Sequence, residues 1–207
     1  EMGKLYTQLA IAHTYGDGLV SSCKNTVKAV SDYLYGVKID NYISVTMDAV
    51  SRLNDCVGGV TVTVDDDMTA VDPSFVKGTT VTLLGDKALE YVRARGAMED
   101  SSNLARMERQ KKYLAAFVEK LADMNVTDTF LLSAYDQIAE YSVTNCDTSF
   151  ISALSRKIGT YSYAGAISPK GDAQVGEKYM EFYADEEDLI NILIELFYDR
   201  TQEPTEN

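Results

Sequence analysis

The stretch MDAVSRLNDCVGGVTVTV, Met47 to Val64, changes its period partway along. Through Val57 it reads as a short helix. Gly58 and Gly59 stop that helix, and VTVTV then alternates apolar and hydroxyl side chains as a strand does. Working outward, NYISVT (41–46) reads as a strand before the helix, and TTVTLL (79–84) as another after the loop through Asp72-Pro73. Asp86 is a good N-cap for a helix from Lys87 to about Val92. Longer helical patterns run from Asn103 to about Met124, Thr127 to Tyr141 and Thr148 to Ile158. Upstream, Leu5 to Tyr15 has helical spacing and the GDG at 16–18 ends it. Ser21 or Ser22 can cap the next helix, which Gly36 terminates. KYMEFYA (178–184) resembles a late strand. DEEDLINILIELFYD (185–199) reads as a closing helix with its acids favourably placed in the first turn. Strands alternating with helices predict the α/β class: a layered α-β-α domain with helices packed on a central mixed sheet.

The chain has 207 residues, 45% hydrophobic and 25% charged, enough for one sizeable core. Its formal charge of -13 argues against nucleic acid as a partner, because phosphate backbones demand a broad basic surface. The cysteines, Cys23, Cys56 and Cys146, have neither CxxC nor metal-site spacing and read as buried packing. One histidine, His13, and no cysteine cluster argue against a zinc site, and His13 reads as a helix residue. No run reaches the ~20 apolar residues of a membrane span. The abrupt start EMGKLYTQLAIAHTY suggests a cut inside a longer protein, and TQEPTEN, residues 201–207, reads as a disordered tail.

Against this acidity, Arg93, Arg95, Arg106, Arg109, Lys111 and Lys112 crowd into one segment. In the long helix, Leu104, Met107, Leu114, Phe117, Val118 and Leu121 form an apolar stripe. Glu108 and Lys112 lie opposite it at the i,i+4 spacing of an ordinary surface pair. Arg106, Arg109, Gln110 and Tyr113 form a third strip, expected at the rim of the core, where arginines need an anionic partner. Arg93 and Arg95 point the same way only if the helix has ended between them, which Gly96 favours. Guanidinium forks suit phosphate oxygens. On residue chemistry alone, solvated arginines in ordinary ion pairs and an anion-binding site both stand.

GDKALEYVRAR (85–95) followed by NLARMERQKKYL (103–114) resembles the signature of the LytR-CpsA-Psr family, G-x-x-A-L-x-Y-x-R-x-R and then R-x-x-R-Q. AHTYGDG, NTVKAVSDYLYGVKIDNYISV, LNDCVGGVTVTV and GEKYMEFYADEEDL agree in order, so the likeness covers nearly the whole chain. It implies a single catalytic domain over residues 1–200 that lacks its N-terminal strands. The implied activity is a cell-envelope phosphotransferase of Gram-positive type. Such an enzyme moves a glycopolymer, teichoic acid or capsular polysaccharide, from a polyprenyl-pyrophosphate carrier to peptidoglycan.

By position, the resemblance makes Arg93, Arg95, Arg106 and Gln110 the catalytic contacts to the pyrophosphate. Arg109, the second arginine of R-x-x-R-Q, joins them in substrate binding as a support rather than a contact. Asn103 stands where the family has Asp; it keeps hydrogen-bonding capacity but can act neither as a base nor as an ion-pair partner. The implied cofactor is Mg²⁺, whose aspartates are expected upstream of Glu1 together with a membrane anchor, so no metal ligand is assigned within the chain. Asp17 is read as a turn former, Asp55 as a helix-end residue, and Asp48 is set aside with them. The implied location is extracytoplasmic. The alternative is a non-catalytic module that binds polyprenyl phosphate or anionic glycopolymer without turnover.

Overall fold

The computed structural model describes residues 9–94, 103–124, 126–158, 160, 163–176 and 180–198, so the 201–207 tail lies outside the described residues. A 3-10 helix, Leu9–Tyr15, comes first, followed by α1 (Val20–Tyr33), β1 (Ile43–Val45), α2 (Asp48–Cys56), β2 (Val60–Thr63) and β3 (Thr80–Leu83). Next come α3 (Asp86–Arg93), α4 (Asn103–Asp123) and α5 (Asp128–Ile138), a 3-10 turn, Ala139–Tyr141, then β4 (Ser142–Thr144) and α6 (Thr148–Ile158). The chain closes with β5 (Gly171–Val175), β6 (Met180–Ala184) and α7 (Glu186–Phe197). The mixed α/β class is thus observed. The central mixed sheet is not: among the described residues the strands pair antiparallel as three two-stranded ladders, β1–β4, β2–β3 and β5–β6. These strands are three to five residues long, and beside the β2–β3 ladder helices pack, α4 against β2 and α3 against β3.

The chain divides into two compact units, Asn41–Gly165 and the pair of segments Glu1–Asp40 and Ala166–Asn207. In the first, the alternation of VTVT is realised directly. Val60 and Val62 are buried, while Thr61 and Thr63 face out and bond across the ladder to Thr82 and Thr80. Behind them lie Val64, Met68, Phe75, Leu83, Ala88, Tyr91 and Val92, with Tyr113, Phe117 and Leu121 of α4 packed against this core. Gly59 is required between α2 and β2. Its φ is +88°, and a Cβ there would meet the Leu83 carbonyl oxygen at 2.6 Å.

Asn54, fully buried at the end of α2, ties three elements together. Its amide donates to the Leu83 carbonyl at 2.8 Å, while its oxygen accepts from the Val60 N–H at 3.1 Å and the Tyr113 hydroxyl at 3.3 Å. Buried polar groups need such partners, and this residue has them on β2, β3 and α4. Asp55 beside it accepts from the Gly85 N–H at 2.8 Å. Gly85 is therefore the N-cap of α3, and Asp86, expected there, is instead its first residue.

In the other unit, the helix expected over 5–15 is a 3-10 helix from Leu9, and its first four residues lie outside the described residues. The helix after GDG begins at Val20 without a serine cap. Ser21 and Ser22 instead accept, through their hydroxyls, from the Asp17 and Gly18 N–H groups. Asp17 in turn accepts from the Leu19 N–H at 2.7 Å. Asp185 caps α7 by accepting from the Asp188 N–H, and the expected acids occupy the first turn. Strand β5 lies in a stretch, GDAQV, for which no element was expected.

Candidate functional site

α3 ends at Arg93 because Ala94 leaves the helix, at φ −46° and ψ 132°. Ala88, Tyr91 and Val92 are buried and Arg93 is exposed, so the helix turns its arginine outward at its final residue. The last carbonyls of any helix lack partners within it. At α3 they are met from α4: Arg109 donates from Nη2 to the Ala94 carbonyl at 2.6 Å and from Nε to the Tyr91 carbonyl at 3.4 Å. Gln110 donates to the Val92 carbonyl at 3.2 Å.

This sets the rotation of α4, and the rotation differs from the expected one. Of the expected apolar stripe, Phe117 and Leu121 meet the core as expected, but Met107 and Leu114 are exposed, while Arg109 is only 2% exposed and Tyr113 and Ala116 also pack on the core. The strip expected at the rim therefore faces inward at Arg109. The reason is that the end of α3 supplies oxygen ligands for a guanidinium, which offset its desolvation where a methionine would leave carbonyls unmet. Glu108 pairs with Lys111 at 2.9 Å rather than with Lys112, which reaches Asp65 at 2.5 Å. Both lysines thus make the surface pairs that composition suggested. Arg106 is half-buried, one turn before Arg109. Arg95 lies outside the described residues, as do the side chains of Asn103 and Leu104. What the described residues bring together is Arg109 and Gln110 against the peptides that flank Arg93.

Tyr113 was placed on the strip with Arg106, Arg109 and Gln110, whereas Tyr91 was given no role although it is the tyrosine of the G-x-x-A-L-x-Y motif. Burial, helped by the Asp65 charge, pushes the Tyr91 phenol up to about 12, and Arg109 partly opposes this. Its hydroxyl has no hydrogen-bond partner among the described residues. Burial likewise pushes Tyr113 up to about 12, with Asp55 adding to the shift. Both phenols stay protonated at neutral pH and cannot serve as bases there.

Among the described residues, no three His, Cys, Asp or Glu side chains gather as a metal site requires. Asp17 is occupied by its own turn: the Leu19 N–H, then Ser21, hold its carboxyl below the usual range. Asp55 bonds Asn54 and Gly85, and Asp48 opens α2. These carboxylates do not fit a Mg²⁺ ion, which needs clustered oxygen ligands. All three cysteines are free thiols. Cys23 and Cys146 are buried, and burial, with the Asp55 charge second, raises the Cys56 thiol above its ordinary range.

Residues 5–187 match the model of the LytR_cpsA_psr family. The polyisoprenyl-teichoic acid–peptidoglycan teichoic acid transferase TagU of Bacillus cereus (strain AH820) is 33% identical over 115 residues, 56% of this chain and 36% of TagU. The corresponding transferase TagT of Bacillus subtilis (strain 168) is 31% identical over 145 residues, 67% of this chain and 41% of TagT. These matches span less than half the length of either relative. A structure of TagT bound to LI-WTA superposes with a TM-score of 0.71 at 24% identity, covering 94% of this chain and 71% of that one. At that identity the likeness bears on the fold alone.

Proposed function

The chain belongs to the LytR-CpsA-Psr family, and we propose that it carries the arginine site of an extracytoplasmic phosphotransferase. The reaction moves a glycopolymer of teichoic acid or capsular polysaccharide type from a polyprenyl-pyrophosphate carrier to peptidoglycan. The observation that carries this reading is the family match over 5–187 together with two relatives that are teichoic acid–peptidoglycan transferases. TagU and TagT, as polyisoprenyl-teichoic acid–peptidoglycan transferases, support a polyisoprenyl-linked glycopolymer as the ligand class. The layered arrangement belongs to the same proposal, with β1–β4 and β2–β3 as segments of one central mixed sheet.

In the proposed step a peptidoglycan hydroxyl attacks the phosphorus nearer the glycan. The bond from that phosphorus to the bridging oxygen breaks, and polyprenyl phosphate leaves. Arg93, Arg95 and Arg106 neutralise charge on the diphosphate oxygens, where positioning and electrostatics supply most of the rate. Gln110 is assigned a second amide hydrogen for the same oxygens. Mg²⁺ remains part of the proposal only with ligands other than the described carboxylates, and no step is assigned to it.

The test is transfer of labelled glycan from a polyprenyl-diphosphate donor to peptidoglycan by the protein. Arg93→Ala or Arg106→Ala should lower transfer by roughly 100-fold or more. Melting temperature should barely move for Arg93, which is exposed. Loss of activity only in proportion to loss of stability would make these arginines structural and sink the assignment. The second reading, a binding module without turnover, is favoured by Asn103 in place of the family's Asp. Donor binding with no transfer at any enzyme concentration would decide for it.

A further inference from the structure

We propose that Arg109 is a positioning residue for Arg93. Its guanidinium and the neighbouring Gln110 amide hold the backbone carbonyls on both sides of Arg93 and thereby fix the direction in which that side chain meets an anion. The role rests on the reading of Arg93 as a diphosphate contact.

The geometry brackets one residue. Gln110 holds the Val92 carbonyl, in the peptide that enters Arg93, and Arg109 holds the Ala94 carbonyl, one peptide beyond it, so the residues on both sides of Arg93 are tied to α4. Arg109 also reaches the Tyr91 carbonyl, a residue whose ring is held on its other side by Phe75, edge to face at 5.8 Å between centroids. The final turn of α3 is therefore fixed from two directions, by ring packing and by donors. A guanidinium is suited to this because its nitrogens present donors in a rigid fork, so one side chain serves carbonyls from different residues. A lysine ammonium carries its three donors on one nitrogen at the end of a flexible stem, so it cannot hold the two carbonyls in the fixed spacing of the fork. The negative end of the α3 dipole further favours a cation at this place. Arg109 is 2% exposed, so it meets backbone oxygens from within the protein while the exposed Arg93 meets solvent. The two arginines of the motif thus divide the work: one presents charge, and the other fixes where it is presented.

The experiment uses the chain as it stands, with inorganic pyrophosphate and farnesyl diphosphate as probes in calorimetry, and amide exchange without ligand. Arg109→Lys should keep the fold, weaken probe binding on the order of 10- to 100-fold through misplacement, and speed exchange at Arg93 and Ala94. Arg93→Ala should weaken binding at least as much, to an affinity that Arg95, Arg106 and Gln110 still make measurable, without changing Ala94 exchange. The double variant should bind no more weakly than Arg93→Ala, because Arg109 acts through Arg93; an additive further loss would make it a direct contact and overturn the proposal. Wild-type affinity with unchanged exchange in Arg109→Lys would overturn it as well. Should that variant fail to fold, Gln110→Ala, which also removes a proposed diphosphate contact, is read by exchange alone: freeing the Val92 carbonyl should speed exchange at Arg93, and unchanged exchange there would count against the proposal. If the wild-type chain binds neither probe, the diphosphate reading falls. The exchange arm then still decides the clamp, which is refuted if exchange at Arg93 and Ala94 is unaltered.

Discussion

In β2, Val60 and Val62 are buried while Thr61 and Thr63 are exposed; in β5, all five residues are exposed. Both strands belong to short antiparallel ladders with regular register, so hydrogen bonding does not distinguish them. What differs is the backing. β2–β3 has a core behind it and Asn54 joining its backbone to α2 and α4, whereas Phe182 and Tyr183 of β6 are more than half exposed. A two-stranded ladder is marginal in water unless a face is covered. The first ladder is fixed by what lies behind it, and the second chiefly by its own pairing.

The largest expected contrast is in large-to-small substitutions. Leu83→Ala should cost about 3 kcal/mol through a cavity in the core, whereas Phe182→Ala should cost less than about 1 kcal/mol. Urea unfolding of both variants measures this, and equal losses would break the comparison. A smaller effect is expected from the polar tie. Asn54→Ala removes the donor to Leu83 and the acceptor for Val60, and should cost roughly 2 kcal/mol, with β2 amides exchanging faster and β5 amides unchanged.

The least effect, nil at neutral pH, concerns the tyrosines. Tyr91 and Tyr113 have folded values raised to about 12 from 10.0, so their contribution to stability is complete below pH 10 and is lost as pH rises toward 12. Tyr183 is also raised, first by its hydrogen bond to Glu181 and then by that carboxylate's charge, but it is fully solvated. Phenolate absorbance during alkaline titration should therefore follow unfolding for the buried pair and precede it for Tyr183. Loss of native structure well before the buried phenols ionise would show that other groups govern the alkaline limit.

Much of the element order could be read from the sequence because the signals are local. VTVTV alternates, Gly58-Gly59 stops a helix, and DEED opens one. The rotation of α4 could not be read this way. Apolarity places Met107 and Leu114 inside and Arg109 at the rim, yet the ligands that draw Arg109 inward are carbonyls of α3, on a separate element. Asn54 was passed over for the same reason, since its partners lie on β2, β3 and α4. β5 escaped notice because GDAQV carries no apolar alternation, as expected of a strand with no buried face. At the site, the motif selected the segment that the fold ties together, Arg93 with Arg109 and Gln110. It set Arg109 apart as a support but could not show what it supports, because the carbonyls of Tyr91 and Ala94 that it holds carry no sequence signal.

The pairing of β1 with β4 bears on how the chain must assemble. The Tyr42 N–H bonds the Asn145 side chain across 103 positions, while Thr63 meets Thr80 across 17. Closing the longer loop costs about 1.5 kcal/mol more in chain entropy. During synthesis β2 and β3 can therefore join early, while β1 waits for some hundred residues to emerge before its partner exists. Through that interval Ile43 and Val45 sit on a strand with both edges unsatisfied, and even in the finished unit they stay more than 40% exposed. NYISVT therefore stays unpaired longer than VTVT during synthesis, and raising the growth temperature should lower the yield of folded protein through that wait.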